Sequence, residues 1–170
     1  DFYEYDPTSD SWTINNGFGG SKRQQAVAFV YKNKAYIATG VNNGTYENDF
    51  WSFDPSNGSW TQLRSTANVS TDSYDDNYGP IDRANAVAIV MGDSAYITTG
   101  ENPSLLSSTW GYDFATDLWF SKQDYEGAAR TGASSFSVSA GGYVGMGRSS
   151  TFTFDDWRVF QPFTAYNAND

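Results

Sequence analysis

The chain has 170 residues with a formal net charge of −10, and it contains neither Cys nor His. The negative charge argues against nucleic acid as a ligand, because phosphate contacts require basic surface. The lack of Cys and His excludes disulfides, Cys nucleophiles and His-ligated metals within these residues. No apolar run reaches the ~18 residues of a membrane span, so none is predicted.

Short strands separated by polar turns are predicted along the chain. Apolar residues alternate as they do in strands, and no segment shows sustained helical periodicity. In chain order, the clearest predicted strands cover residues 26–31, 35–39, 49–53, 59–63, 86–91 and 95–99. The first four make one unit, with tight turns at 32–34 and 54–58. The sequence therefore predicts an all-β protein built from four-stranded units.

One repeated motif joins an aspartate to a tryptophan six positions later. Its copies are Asp6 with Trp12, Asp54 with Trp60, and Asp113 with Trp119. A fourth, degraded copy is predicted at 151–157, where the Trp comes early. We expect each Asp to bind backbone amides in a turn. We expect each Trp to pack between neighbouring sheets.

A second motif starts at an arginine and continues with Ala, Tyr and Gly at offsets of 3, 13 and 17 residues. Its copies are Arg23, Ala26, Tyr36 and Gly40; Arg83, Ala86, Tyr96 and Gly100; and Arg130, Ala133, Tyr143 and Gly147. Fixed offsets in three copies indicate an internal repeat. Each Gly is predicted to end a second strand in a conformation that only Gly adopts cheaply.

Together these motifs resemble the kelch family of β-propellers. The resemblance lies in Arg-x-x-Ala, in the strand end Tyr-Ile-Ala-Thr-Gly at 36–40, and in Phe53-Asp54-Pro55 with Trp60. Kelch repeats usually carry Gly-Gly where this chain has Thr-Gly or Met-Gly, a variant similar to kelch proteins of bacterial cell surfaces. The resemblance implies about 3.5 four-stranded blades. Their approximate bounds are 1–13, 23–63, 83–121 and 130–161.

The four antiparallel strands of a blade, a to d from the centre outward, indicate which face binds a ligand. The d–a and b–c connections share one face and are long and varied, as binding loops are. We predict that Arg23, Arg83 and Arg130 surround the channel mouth on that face, with Gln25 and Asn85 two residues further along. Such a ring suits a carboxylate or an acidic sugar. Alternatively, these arginines bind loop carboxylates or backbone carbonyls and hold the blade entrance together.

The longest insertion, at 71–82, is rich in aspartate. Tyr74 and Tyr78 are candidates for an aromatic platform that binds a sugar or peptide. A weak candidate calcium site comprises Asp72, Asp75, Asp76 and Asp82. Their spacing does not match the EF-hand pattern, and a solvated acidic loop is the alternative.

These features predict a non-catalytic binding module without cofactors, in an extracellular, cell-surface or periplasmic kelch-repeat protein. Its ligand would be a protein or a glycan. A second hypothesis is a carbohydrate-processing enzyme that resembles the sialic acid mutarotase among kelch-like propellers, using the arginines with Glu101 or Glu126. The copper sugar oxidases of the same fold need Cys and His, which are absent here. A third hypothesis is a structural spacer in an adhesin-like protein.

The repeat changes what the length of the chain indicates about its fold. Three and a half blades do not close a ring of the kelch type, and exposed strand edges tend to pair with other chains. The chain also starts within a blade. We therefore expect about half of a propeller, whose further partners are the remaining blades of the same protein.

Overall fold

A computed structural model of the chain describes residues 2–15, 17–67, 81–139 and 141–164. All regular structure in these residues is β, which confirms the predicted all-β class. This described part of the chain accordingly has no helix that is long and apolar enough to cross a membrane.

Apart from one separate two-stranded hairpin, the strands of the described residues form four successive antiparallel sheets, which we call blades 1 to 4. Blade 1 contains β1 (Phe2–Asp6) and β2 (Ser11–Asn15). Blade 2 contains β3 (Val27–Tyr31), β4 (Lys34–Ala38), a small hairpin of β5 (Val41–Asn42) and β6 (Thr45–Tyr46), then β7 (Phe50–Asp54) and β8 (Ser59–Leu63). Blade 3 contains β9 (Val87–Met91), β10 (Ser94–Thr98), β11 (Thr109–Asp113) and β12 (Leu118–Lys122). Blade 4 contains β13 (Ser134–Val138), β14 (Gly141–Gly145) and β15 (Trp157–Phe160).

Strand order within each blade follows the chain. Blade 2 has the order β3-β4-β7-β8, blade 3 follows with β9-β10-β11-β12, and blade 4 has β13-β14-β15. The first strands of successive blades are neighbours, since β9 lies beside both β3 and β13. These first strands form the inner edge of the assembly. The connections therefore alternate between two faces, as the sequence predicts.

Local polar contacts explain the tight turns between third and fourth strands. The carboxylate of Asp54 accepts the backbone N–H of Ser56 at 3.0 Å. The equivalent bonds of Asp6 to Thr8 and Asp113 to Ala115 measure 2.8 and 2.7 Å. An aspartate that binds the amide two residues later makes the side-chain equivalent of a backbone turn.

The core lies between blades. Phe50, at the start of β7, is completely buried and contacts the rings of Tyr112 and Trp119 in blade 3, with centroids 4.7 and 5.4 Å apart. Burial of one such aromatic side chain stabilises the fold by about 2 to 3 kcal/mol. Between blades 3 and 4, the core contains Ile89 and Val144, and the Tyr96 and Phe160 rings are 5.0 Å apart.

The repeated tryptophans occupy different environments. Trp119 is 3% exposed between blades 2 and 3, and Trp60 is partly buried against Phe2 of blade 1. Trp12, by contrast, is 67% exposed and contacts the ring of Tyr5 in its own blade. Among the described residues, Trp12 therefore does not fill a space between blades.

The alignment of 151–157 as a degraded Asp–Trp copy is wrong. Trp157 begins β15, which pairs with β14 and is the third strand of blade 4. The Asp–Trp motif begins only at the end of a third strand, so the counterpart of Phe53-Asp54-Pro55 is Phe160-Gln161-Pro162. Arg148 forms isolated bridges with both Thr131 and Thr153, so Thr153 belongs to the loop between β14 and β15 and not to a third strand.

Candidate binding face

The three repeated arginines lie inside the blades. Arg83 and Arg130 are completely buried, and the side chain of Arg23 is 4% exposed. Each Nε donates to the carbonyl two residues earlier, at 2.9 to 3.1 Å. Each Nη1 donates to the carbonyl sixteen residues later, at 3.0 to 3.1 Å. One guanidinium therefore joins the entry of the first strand to the end of the second.

The third hydrogen-bond acceptor of each arginine lies just before the third strand of its blade. The guanidinium of Arg23 donates to the Asp49 carboxylate, and that of Arg130 donates to both Asp156 oxygens at 2.6 and 3.2 Å. Arg83 instead donates to the carbonyl and hydroxyl of Ser108, at 2.9 and 3.0 Å. We call each arginine with these acceptors an arginine latch, because it ties three strands of one blade together.

Two groups of the latches, Asp156 and Arg83, have shifted pKa values. The hydrogen bond from Arg130 lowers the pKa of Asp156 below its ordinary value. Burial lowers the pKa of Arg83 to about 10, against the weaker opposing influence of Asp82 and Asp124. Arg83 therefore remains charged at neutral pH without a carboxylate in its latch.

The latches match the alternative in which the arginines hold the blade entrance together. Their guanidinium donors point at acceptors of the same blade, and aromatic rings cover two of them, with Phe18 5.0 Å from Arg23 and Phe154 4.1 Å from Arg130. These contacts indicate a structural role. Ligand binding by Arg23, Arg83 and Arg130 stays a prediction.

Gln25 and Asn85 lie on the inner edge, where blades are joined by main-chain hydrogen bonds. The carbonyl of Gln25 accepts the N–H of Asn85 at 3.1 Å, and the carbonyl of Asn85 accepts the N–H of Gly132 at 3.0 Å. Their φ angles are 61°, 54° and 64°, in the left-handed region. The Asn85 amide also donates to Glu101 Oε1 at 3.0 Å. Asn85 and Glu101 are thus brought together at the inner end of the b–c loop, whereas Glu126 is exposed in the connection between blades 3 and 4.

The repeated glycines form a second bond between blades. The N–H of Gly40 donates to the carbonyl of Arg83 at 2.7 Å, and that of Gly100 to the carbonyl of Arg130 at 2.8 Å. Gly40 has a φ of 94°, and a Cβ there would stand 2.8 Å from the carbonyl oxygen of Gln24 and 3.1 Å from Ala26. Close backbone approach therefore explains why Gly and Ala recur together.

The b–c loops share one frame and differ at their tips. Each starts by pairing with the residue after the latch arginine, as in Gln24 with Val41. Each returns through an N–H to the repeated glycine carbonyl, at 2.9 Å from Glu47, Leu106 and Phe154. In blade 2 the tip is the Asn43-Gly44 turn, with φ of 48° and 84°. In blade 4 the tip carries Phe152, which is 70% exposed.

The β5–β6 hairpin is not among the strands that the sequence predicts. Its signal is present in Asn43-Gly44, since Asn-Gly between extended residues is a strong indicator of a two-residue hairpin turn. Phe152 is likewise absent from the predicted binding residues, and its position at the tip of the b–c loop of blade 4 is what makes it notable.

Most of the acidic insertion lies outside the described residues, including Asp72, Tyr74, Asp75, Asp76 and Tyr78. Asp82 is described and accepts a hydrogen bond from Asn102 at 3.1 Å. Partial burial raises the pKa of Asp82 above its ordinary value. Within the described ranges, no cluster of three acidic residues could hold a metal ion.

Two grooves open between blades near the short turns, on the face opposite the varied loops. One, of about 370 Å³, lies between blades 1 and 2 beside Val30 and Lys34. The other, of about 460 Å³, lies between blades 3 and 4 beside Gly92 and Val138. Neither contains a residue that the sequence singles out for binding.

Repeated four-stranded blades, joined through their first strands and fixed by arginine latches, define part of a β-propeller. Residues 22–66, which comprise blade 2, match the family model of the Kelch motif. The fold is therefore that of a partial kelch-type propeller, as the repeat predicts. No curated protein matches the chain.

Proposed function

We propose that the chain is a non-catalytic interaction module that binds a protein or glycan on the face formed by the b–c and d–a loops. The observation that carries this proposal is the shared frame of the three b–c loops. The same two anchors hold each loop, yet the tips present an Asn-Gly turn, Pro103-Ser104 and Phe152. A rigid scaffold with variable tips is the usual arrangement of a recognition surface.

Phe152 gives this face its most distinctive chemistry. Its ring is 70% exposed, and Arg148 at the start of the same loop is also exposed. Aromatic residues and arginine are among the residue types that dominate binding energy at protein interfaces. The same ring also offers a flat apolar surface to a sugar.

The enzyme hypothesis receives less support from the described residues. A mutarotase-like reaction needs an arginine for the sugar carboxylate and a carboxylate for proton transfer. The three repeated arginines donate to internal acceptors, and Glu101 accepts a hydrogen bond from Asn85. A ligand would have to displace these bonds.

We further propose that the module belongs to a cell-surface or periplasmic protein. Support comes from the Thr-Gly and Met-Gly variant of the kelch glycine pair and from the acidic composition. Expression of a tagged copy of the complete gene product, followed by cell fractionation, tests this location. Recovery in the cytoplasm alone contradicts it.

Ligand binding is tested by screening the purified chain on a glycan array and against phage-displayed random peptides, with hits measured by biolayer interferometry. Phe152→Ser should weaken binding by about tenfold or more, the loss of one interface hot spot. The matched control is Val30→Ser, which removes a 66% exposed apolar side chain on the opposite face and should leave affinity unchanged. Equal loss in both variants contradicts the proposed face, and no binder in either screen favours the spacer hypothesis.

A further inference from the structure

Blade 4 ends in an exposed apolar face that is built like a buried face of blade 2. In both blades, three aromatic residues follow the latch arginine at offsets of 6, 13 and 27. These triads are Phe29, Tyr36 and Phe50 in blade 2, and Phe136, Tyr143 and Trp157 in blade 4. In each triad the first two rings are stacked, with centroids 5.4 and 4.9 Å apart.

The triad of blade 2 shows what such a face does. Blade 3 covers it, so Phe29, Tyr36 and Phe50 are 9%, 8% and 0% exposed. The ring of Phe50 contacts both Tyr112 and Trp119, which belong to the third and fourth strands of blade 3. The triad is thus the surface on which the next blade docks.

The triad of blade 4 is exposed within the described part of the chain. Phe136 is 50% exposed and Trp157 is 37% exposed. Val138 and Val159 share this face of the sheet and are 50% and 52% exposed. The indole of Trp157 lies over Gly145, whose missing side chain leaves room for it. The position that Phe50 fills in blade 2 therefore carries a larger, uncovered aromatic residue in blade 4.

Blade 1 carries the complementary surface. Tyr5 and Trp12 are the counterparts of Tyr112 and Trp119, and the rings of each pair are 4.9 and 5.0 Å apart. In blade 3 that pair receives Phe50 from the preceding blade. In blade 1 the pair is open, with Tyr5 43% and Trp12 67% exposed.

We propose that a second copy of this chain docks on blade 4, with Trp157 of one copy packed against Tyr5 and Trp12 of the next. The occupant is a second copy because the chain itself carries both halves of a contact that it already makes twice internally, between blades 1 and 2 and between blades 2 and 3. Two different faces meet in this contact, so the interface is heterologous and leads to a closed ring or an open chain of copies.

Sedimentation velocity of the purified chain from about 1 to about 300 µM, the range of weak protein contacts, tests this contact. The wild type should associate as its concentration rises. Trp157→Ser and Trp12→Ser should each remain monomeric, because every contact needs one intact face of each kind. An equimolar mixture of the two variants should form a complex of one copy of each.

The mixture distinguishes this arrangement from others. If like faces paired, Trp12→Ser alone would still associate through Trp157. A wild type that is monomeric throughout, or association that survives both substitutions, overturns the proposal. Phe152→Ser is the matched control, since it removes an exposed aromatic residue from the loop face and should leave association intact. Urea unfolding of each variant verifies that the blades are formed. The loop face takes no part in this contact. The proposal of ligand binding and the proposal of self-association can therefore each be contradicted without affecting the other.

Discussion

Blades 3 and 4 place equivalent arginines, Arg83 and Arg130, in different electrostatic surroundings. In blade 4, Arg130 donates to both oxygens of Asp156, whose side chain is 31% exposed. In blade 3, Arg83 occupies the equivalent position but donates to the carbonyl and hydroxyl of Ser108. Both arginines keep the bonds to the carbonyls two residues earlier and sixteen residues later.

The difference shows which part of the latch is essential to a blade. The bonds to main-chain carbonyls recur in all three latches, whereas the carboxylate is present in only two of them. A planar guanidinium with donors in fixed directions suits several carbonyls at once, which an ammonium group does not. The repeat therefore requires the shape of arginine, and the acidic partner adds local charge compensation.

The largest expected effect comes from removing the guanidinium. Arg83→Met and Arg130→Met should each lower the free energy of unfolding by about 3 kcal/mol or more, because buried carbonyls lose their donors. Substitution of each arginine by lysine separates the contribution of the positive charge from that of the planar guanidinium group. Arg130→Lys should recover part of the loss through Asp156, and Arg83→Lys should recover less because Ser108 offers no charge.

Urea unfolding of the four arginine variants gives these energies. The contradicting outcome is equal recovery by lysine in both blades, which would mean that the carboxylate of blade 4 contributes nothing that Ser108 does not.

An intermediate effect is expected from Asp156→Asn. At pH 7 it should cost about 1 kcal/mol, as for a partly exposed hydrogen-bonded ion pair. The bond from Arg130 lowers the pKa of Asp156 in the folded chain. The stabilisation is therefore complete above about pH 4, the unfolded value, and disappears as pH falls through the lower folded pKa.

The difference in unfolding energy between wild type and Asp156→Asn should accordingly shrink below about pH 4. Asp155→Asn, at an exposed neighbour, is the control and should leave the free energy of unfolding at pH 7 close to that of the wild type. A difference that stays constant down to pH 2 would show that the carboxylate does not act through its charge.

The smallest expected effect is a gain in the free energy of unfolding. Ser108→Asp places in blade 3 the carboxylate that blades 2 and 4 have, and should stabilise the chain by about 1 kcal/mol at pH 7. This gain should vanish in acid, as in blade 4. Ser104→Asp, at the exposed tip of the same loop, adds the same charge away from Arg83 and should change stability little. Thermal unfolding at pH 7 and pH 3 measures the stability of both variants.

The blades were predictable because their motifs act through short-range geometry. Ala26 and Gly40 recur together because backbone passes within contact distance of both, so each copy of the repeat must satisfy the same limit. Asp54 and its counterparts bind amides two residues away. Such requirements leave a fixed spacing in the sequence, and that spacing is what identifies a repeat.

The direction of the arginines was not predictable in the same way. Their third acceptor lies 25 or 26 residues away, beyond a b–c loop of variable sequence, and is Asp in two blades and Ser in the other. No single residue type marks it. The register of Trp157 failed for a related reason, since the sequence showed a Trp near an Asp but not which strand the Trp would join.

The backbone carbonyls of Arg83 and Arg130 each accept a hydrogen bond from the preceding blade. Arg83 fixes the strands of blade 3 with its side chain, while its carbonyl accepts the N–H of Gly40 from blade 2. When blade 3 opens, the amide of Gly40 loses its acceptor and becomes accessible to solvent exchange, although it lies in the neighbouring blade. Opening of one blade thus carries a cost in the next, as in linear repeat proteins whose stability contains nearest-neighbour coupling. We therefore expect blades 2 to 4 to unfold cooperatively rather than as three separate sheets.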